Sequence, residues 1–385
     1  MNSFNYYHPT EIRFGTGRID EIAETVKRYG KRCLLVTERA YQTRFQNVER
    51  VKDLLEKGGI DVAIFDGVVS NPTLESVIDG AKMARELMSE VVVGIGGGSS
   101  MDTAKAIAVG ATHERPVWEY TIFEKNQASV RTLPIVTVTT TSGTGANLTQ
   151  VAVFTNTVEK CKSAIVSTHI FPRATIIDPE LMLTVPSHTT ASTGFDVFCH
   201  AFESRLHRST SDLVQLMARE AIANVIENLP TVVADGGNAR ARAKMAWADT
   251  LAGLCISAAG TILPHALAMA IGGHCPTVMH GEALAMVYPQ FMKRTYSYSV
   301  AIFAELGRIL DRGLMSSTDD VAAERSCSLL DVFLERVGMS LSLGKVKGAR
   351  EMLRSITAHS LQFGACFDGP GNISPEDVKE VLASS

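Results

Sequence analysis

The chain has 385 residues, 45% of them hydrophobic, and a formal net charge of −4. That length exceeds one ordinary core and predicts two domains. The slightly acidic balance excludes the basic stripe of a nucleic-acid binder, and no run of about 18 apolar residues indicates a membrane span. The opening "MNSFNYYHPTEIRFG" has no basic patch followed by an apolar stretch, so no secretory signal is expected. Seven scattered cysteines without a CxxC pair read as reduced thiols of a cytosolic protein.

In chain order, the first half alternates short β-branched runs with helical patterns. "RCLLVT" (Arg32–Thr37), "VAIFD" (Val62–Asp66), "VVVGIG" (Val91–Gly96) and "LPIVTVTTT" (Leu133–Thr141) are candidate strands. Between them, "RIDEIAETVKRYG" and "TLESVIDGAKMARELM" carry helical periodicity. Such alternation predicts a parallel sheet with helical crossovers. "ATIIDPELMLTVP" (Ala174–Pro186) is the last β-rich piece. From about Ser187 the pattern is helical almost throughout, down to "SPEDVKEVL" with its Ser374 cap. The expected fold is an α/β nucleotide-binding domain over residues 1–186, then an all-α domain over 187–385.

Two loops in the first half suit a polar ligand. "VVVGIGGGSSMDTAKAIAV" runs a buried strand through Gly96, Gly97 and Gly98 into a helix opening near Ser99 to Asp102. Consecutive glycines admit a diphosphate close to the backbone, and the helix start supplies N–H donors and a positive dipole end. The spacing is not the GxGxxG fingerprint, and a tight turn capped by Ser99 or Ser100 also satisfies it. "TVTTTSGTGAN" (Thr137–Asn147) ends another strand in a cluster of hydroxyls. Glu38, just after "CLLVT", stands where an acid binds the adenosine ribose diol and repels a 2′-phosphate; a solvent-facing acid is the simpler reading of Glu38 alone.

The second half opens on "GFDVFCHAFE", which places Asp196 and His200 at i and i+4 on one helix face, with Glu203 beyond. "LPHALAMAIGGHCPTVMHGEALAM" adds His265, His274 and His280. Gly272, Gly273 and Pro276 are expected to break the helix, so that His265 near the end of one helix meets His280 at the start of the next. One carboxylate and three imidazoles suit a divalent first-row ion, Fe²⁺ or Zn²⁺. Hydrogen-bonded core histidines fit the same spacing, and geometry must decide between the two.

Taken together, "IRFGTG", "NPT", "GGGSSMDTAKA", "TTSGTG", "GFDVFCHAFE" and "HALAMAIGG…HGEALAMVYP" resemble the iron-dependent alcohol dehydrogenase family in order and along essentially the whole chain. The resemblance implies a dehydroquinate synthase-like fold, with a nucleotide-binding α/β domain and a helical metal domain. It implies Asp196, His200, His265 and His280 as metal ligands, with His265 and His280 carrying the catalysis. Gly97, Gly98 and Ser99 match the pyrophosphate contacts, with Gly96 a further cofactor-binding position and Asp102 in the same loop–helix element. Thr140, Thr141 and Thr144 match the second nucleotide loop, Asn71 a cofactor-side position, and Lys162 a lysine near the nicotinamide. Glu38 implies NAD(H) in preference to NADP(H).

The implied activity is reversible alcohol–aldehyde oxidoreduction on a small substrate, in a homo-oligomer, with no nucleic-acid or membrane partner. Phosphonoacetaldehyde, or another dedicated biosynthetic aldehyde, is an alternative substrate. A dehydroquinate synthase-like lyase and a non-catalytic binding protein are the competing classes, although no Lys/Arg cluster surrounds the metal motifs to serve the lyase. Three positions depart from the family pattern. Met269 replaces a proton-carrying histidine, for which His274 offers a substitute or is a plain turn residue. Asn147 replaces a common Glu, and the loop from His265 to His280 is about one residue longer.

Overall fold

The structure is a computed structural model, describing residues 3–39, 42–371 and 373–385, without the side chains of residues 42–45. It divides into two units: Tyr7–Val185 with Gly237–Ala246, and the N-terminal residues to Tyr6 with Pro186–Gly236 and Trp247–Ser385.

The first unit is α/β. Its elements are β1 (Glu11–Phe14), α1 (Ile22–Lys27), β2 (Arg32–Glu38), α2 (Gln42–Lys57), β3 (Asp61–Val68), α3 (Leu74–Glu86), β4 (Val91–Gly96), α4 (Gly98–Gly110), β5 (Ile135–Thr139), β6 (Val151–Asn156), β7 (Cys161–Val166) and β8 (Ala174–Ile177). Six strands form a parallel sheet in the order β1-β8-β5-β4-β2-β3. β4, β5 and β8 are buried along their whole length. One core layer, with Leu34, Val92, Ile107 and Ile135, lies on one face, and another, with Leu35, Val93, Val136 and Ile176, lies on the other. That two-sided cover is why these strands read as unbroken apolar runs. The chain leaves β2 toward β3 on one side and returns to β4 on the other, which makes the carboxyl ends of β2 and β4 the switch point of the sheet.

Two features lie outside the strands read from sequence. β1 is a four-residue edge strand paired with β8 in register Glu11↔Ala174, and its charged residues hide it from an apolar-run search. β6 and β7 form an antiparallel hairpin apart from the main sheet, in register Val151↔Val166. Its turn carries Lys160 at a φ of 52°.

The second unit is helical: α5 (Ser187–Leu206), α6 (Asp212–Ala234), the later part of α7 (Ala239–Ala258), α8 (Leu263–His274), α9 (His280–Thr295), α10 (Val300–Leu310), α11 (Asp319–Arg336), α12 (Ala349–Ser360) and α13 (Pro375–Ala383). α5 is its central helix, buried on nearly every side from Thr190 to Leu206 and packed against α6 and α9. Small residues make this possible. A Cβ on Gly194 would stand 2.3 Å from Leu229, and one on Gly281 would stand 2.0 Å from the carbonyl oxygen of Ser192. Ser374 and Asp377 form the expected capping box on α13. Among the described residues, no single helix is long and apolar enough to cross a membrane.

Candidate active site

Asp196, His200 and Glu203 project from α5 at i, i+4 and i+7, and all three are buried. His265 is the third residue of α8, behind Pro264. This corrects the expected position near a helix end, and Gly272 and Gly273 lie within α8 rather than breaking it. His274 is nine residues further along the same helix, about 13.5 Å by helical rise, so the five residues 275–279 carry the chain back toward the start of α8. His280 is the first residue of α9, and the Glu282 carboxylate closes that helix start by accepting the Met279 N–H at 2.8 Å. Gly281 lets α9 approach the Ser192 carbonyl of α5. The candidate ligands are therefore positioned by the starts of two helices and the face of a third.

The side chains converge. The rings of His200 and His265 stack with centroids 4.7 Å apart, and those of His265 and His280 lie 5.2 Å apart. Asp196 Oδ1 is 3.5 Å from His200 Nε2 and 3.4 Å from His265 Nε2. One ligand atom each from Asp196, His265 and His280 falls within 4.8 Å of the others, the geometry of a shared ion. Asp196 Oδ1 and His265 Nε2 are buried without a hydrogen-bond partner in the protein, which is costly unless something charged joins them. Glu203, fully buried, accepts the Nδ1–H of His265 at 2.7 Å and the Ile262 N–H at 2.8 Å. Burial opposes charge at His265, but Glu203 and Asp196 outweigh it and push its pKa up to about 10. Burial likewise opposes charge at Asp196, and His200, His280 and His265 overcome it, holding that pKa down to about 2. A carboxylate-plus-imidazole donor set of this kind fits a divalent first-row ion.

The α/β unit gathers most of the nucleotide candidates at its switch point. Thr37, Glu38, Asn47, Val48, Ile95, Gly96 and Thr140 line one crevice. The loops after β4 and β5 touch: Thr140 N–H bonds to the Gly96 carbonyl at 2.9 Å. A Cβ on Gly97 would stand 3.3 Å from Thr141 Oγ1, and one on Gly98 would stand 2.6 Å from Thr144. α4 begins at Gly98 with no side-chain cap, so the Ser99 or Ser100 cap that sequence also allowed is not made. Glycines pressed against a second loop below an uncapped helix start make a cradle that fits a diphosphate.

Asp102 and Lys162 lie away from that crevice lining. Asp102 Oδ2 accepts the Val153 N–H at 3.1 Å, and its other oxygen faces the buried Lys105 ammonium at 3.6 Å. Lys162 donates to Asn71 Oδ1 at 2.9 Å, and Asn71 holds a positive φ of 53°. Sequence reasoning missed Asn47, Lys105 and Gly281. Lys105 carried a usable signal, because a lysine in the otherwise apolar "TAKAIAV" needs an internal partner. So did Gly281, a glycine inside a helix beside a proposed ligand. Asn47 carried none. Pro264 likewise marks a helix start and could have placed His265 correctly.

Comparison with known proteins agrees with both halves. Residues 9–179 match the model of iron-containing alcohol dehydrogenase, and residues 190–385 match the C-terminal part of the Fe-containing alcohol dehydrogenase family. The 1,3-propanediol dehydrogenase of Klebsiella pneumoniae is 31% identical over 386 residues, covering 98% of each chain. The NAD-dependent methanol dehydrogenase of Bacillus methanolicus is 27% identical, covering 99% of each. Among solved structures, an archaeal halo-thermophilic alcohol dehydrogenase from a Red Sea brine pool superposes with a TM-score of 0.93 at 32% identity, covering 99% of this chain and 98% of that one.

Proposed function

The chain belongs to the iron-containing alcohol dehydrogenase family, and from that premise we propose that it interconverts a small primary alcohol and its aldehyde, using NAD(H) in preference to NADP(H) and Fe²⁺ as its ion. The observation that carries this reading is the buried meeting of Asp196, His265 and His280, with Asp196 Oδ1 and His265 Nε2 facing each other at 3.4 Å and neither hydrogen-bonded. Asp196, His200, His265 and His280 would hold the ion. When bound, the ion supplies a Lewis acid that lowers the pKa of an alcohol oxygen, and a nicotinamide supplies the hydride acceptor.

The rest belongs to the chain itself. α5 presents its two ligands at a fixed helical spacing, and burial keeps competing water from them. The uncapped start of α4 and the loop Gly96–Gly98 bind the diphosphate through backbone N–H groups. Glu38, at the end of β2 and in the same crevice as Gly96 and Thr140, accepts from a ribose diol and repels a 2′-phosphate. Among the described residues, Met269 carries no proton and His274 sits about 13.5 Å along α8 from His265. No side chain is therefore assigned as the proton carrier.

The test is a panel of short aldehydes with NADH and with NADPH, run on protein reconstituted with Fe²⁺ and separately with Zn²⁺. The expected result is turnover that requires the metal, is faster with Fe²⁺, and favours NADH about tenfold or more, a difference of about 1.4 kcal/mol. Glu38→Ser is expected to narrow the nucleotide preference. Metal-independent turnover would sink the reading of the histidine cluster, and equal rates with both nucleotides would sink the role of Glu38.

A further inference from the structure

Glu203 is fully buried one helical turn beyond His200 on α5, and both of its oxygens are engaged. Oε1 lies 2.7 Å from His265 Nδ1, and Oε2 accepts the Ile262 N–H at 2.8 Å. A carboxylate only accepts, so Nδ1 of His265 must be the donor. In the neutral ring that leaves the lone pair on Nε2, and Nε2 is the atom that faces Asp196 Oδ1 at 3.4 Å. Ile262 precedes the first turn of α8 and has no side-chain cap of its own. The same carboxylate that fixes the His265 tautomer therefore also anchors the start of the helix that carries it. A count of charges points the same way. With neutral imidazoles, Asp196 and Glu203 bring two negative charges into one buried cluster, the number a divalent cation balances.

We infer that Glu203 is the positioning residue of the metal site, fixing His265 as its Nδ1–H tautomer, aiming Nε2 at the ion, and supplying the second negative charge that matches the site to a divalent ion. This rests on the reading of the cluster as a metal site. It couples α5, which carries Asp196 and His200, to α8, which carries His265, without Glu203 touching the ion. An imidazole ligand held by a carboxylate is a better donor and loses less freedom on binding.

The test uses the full-length metal-free protein and Co²⁺ as probe, reading the visible ligand-field spectrum and the affinity against a competing chelator at one pH. In Glu203→Gln a single amide oxygen cannot serve both N–H groups, and the cluster loses one negative charge. That variant is expected to bind Co²⁺ about 10–100-fold more weakly, with a shifted spectrum. Glu203→Asp, which keeps the charge, is expected to recover part of the affinity. Unchanged affinity and spectrum in Glu203→Gln would overturn the inference while leaving the metal reading intact. Absence of Co²⁺ binding by the unaltered protein would overturn both. Should the variants fail to fold, nitrogen-15 NMR of the histidine-labelled, Zn²⁺-loaded natural chain decides: a protonated Nδ1 on His265 supports the inference, and a bare Nδ1 refutes it.

Discussion

One cluster of buried charge in the α/β unit and one in the helical unit are built to opposite ends. In the α/β unit, the fully buried Lys105 gives its ammonium to the Thr149 carbonyl at 2.9 Å, the Val151 carbonyl at 2.6 Å and the Thr149 hydroxyl at 3.3 Å. Asp102 faces it and takes the Val153 N–H. Lys105 bonds to Thr149 just before β6 and, with Asp102, to β6 itself, so α4 is pinned there, while Asp102 Oδ1 makes no hydrogen bond and faces only the ammonium at 3.6 Å. In the helical unit, Asp196 Oδ1 and His265 Nε2 face each other without a hydrogen bond. The first cluster is closed in that the protein supplies the cation its carboxylate faces, and the second is open in that its carboxylate faces imidazole nitrogens which an ion could share. A closed pair serves the fold, and an open one holds a binding site.

If that contrast holds, breaking the closed cluster should damage the fold whether or not metal is present. Lys105→Met leaves Asp102 buried without its cation and removes three hydrogen bonds, and it is expected to cost about 3–5 kcal/mol. Urea unfolding followed by circular dichroism checks this. Asp102→Asn combined with Lys105→Met should recover part of the loss, because no unpaired charge remains. A cost that vanishes on adding metal would show that the two clusters are not separable in this way.

The open cluster fails differently, through its geometry. Gly281→Ala places a Cβ where the Ser192 carbonyl oxygen already stands, 2.0 Å away, and backbone on backbone cannot give locally. α9 must move off α5, and His280 moves with it. The expected result is a loss of about 3 kcal/mol together with a Co²⁺ affinity lowered well over tenfold. Gly194→Ala is the control, because its neighbour is the movable end of Leu229. It should cost stability with a smaller effect on the ion. Equal loss of Co²⁺ affinity in both variants would mean that the ion senses general packing rather than the place of His280.

What could be read in advance follows the same division. β2, β4, β5 and β8 were legible because both faces of the sheet are covered and each carries a continuous buried run of mostly apolar or β-branched residues. The switch from strands to helices near Pro186 was visible as a change of period. β1, with Glu11 and Arg13 at a sheet edge, gave no such signal. The hairpin escaped too, because it pairs with itself and its turn depends on a positive φ at Lys160. At the site, residue types and their spacing on α5 were readable, since i, i+4 and i+7 must share a face. The place of His265 within its helix was not read, although Pro264 marked the start. Which oxygen of Glu203 meets which N–H, and that Asp102 turns to Val153, are facts of packing between distant segments. Local sequence carries no record of them.

The smallest effect expected is also the finest probe of what "closed" means. Burial lowers the Lys105 pKa from 10.5 to about 8, with Asp102 opposing that fall. Between those values the unfolded chain holds a proton that the folded chain does not, so stability attributable to this group rises with pH. Below about 8 both states are protonated, and the group contributes a constant cost. Between pH 8 and 9.5 the stability of the unaltered protein should therefore rise relative to Lys105→Met, by at most about 2 kcal/mol. Urea midpoints of both proteins at pH 7.5, 8.5 and 9.5 read this difference, and contributions common to both, the histidine cluster's included, cancel. A flat difference would mean that the two carbonyls and Asp102 hold the ammonium as firmly as water does, which makes the cluster fully closed. A rising one would mean that even an ammonium bonded to three protein oxygens still bears a cost for its depth.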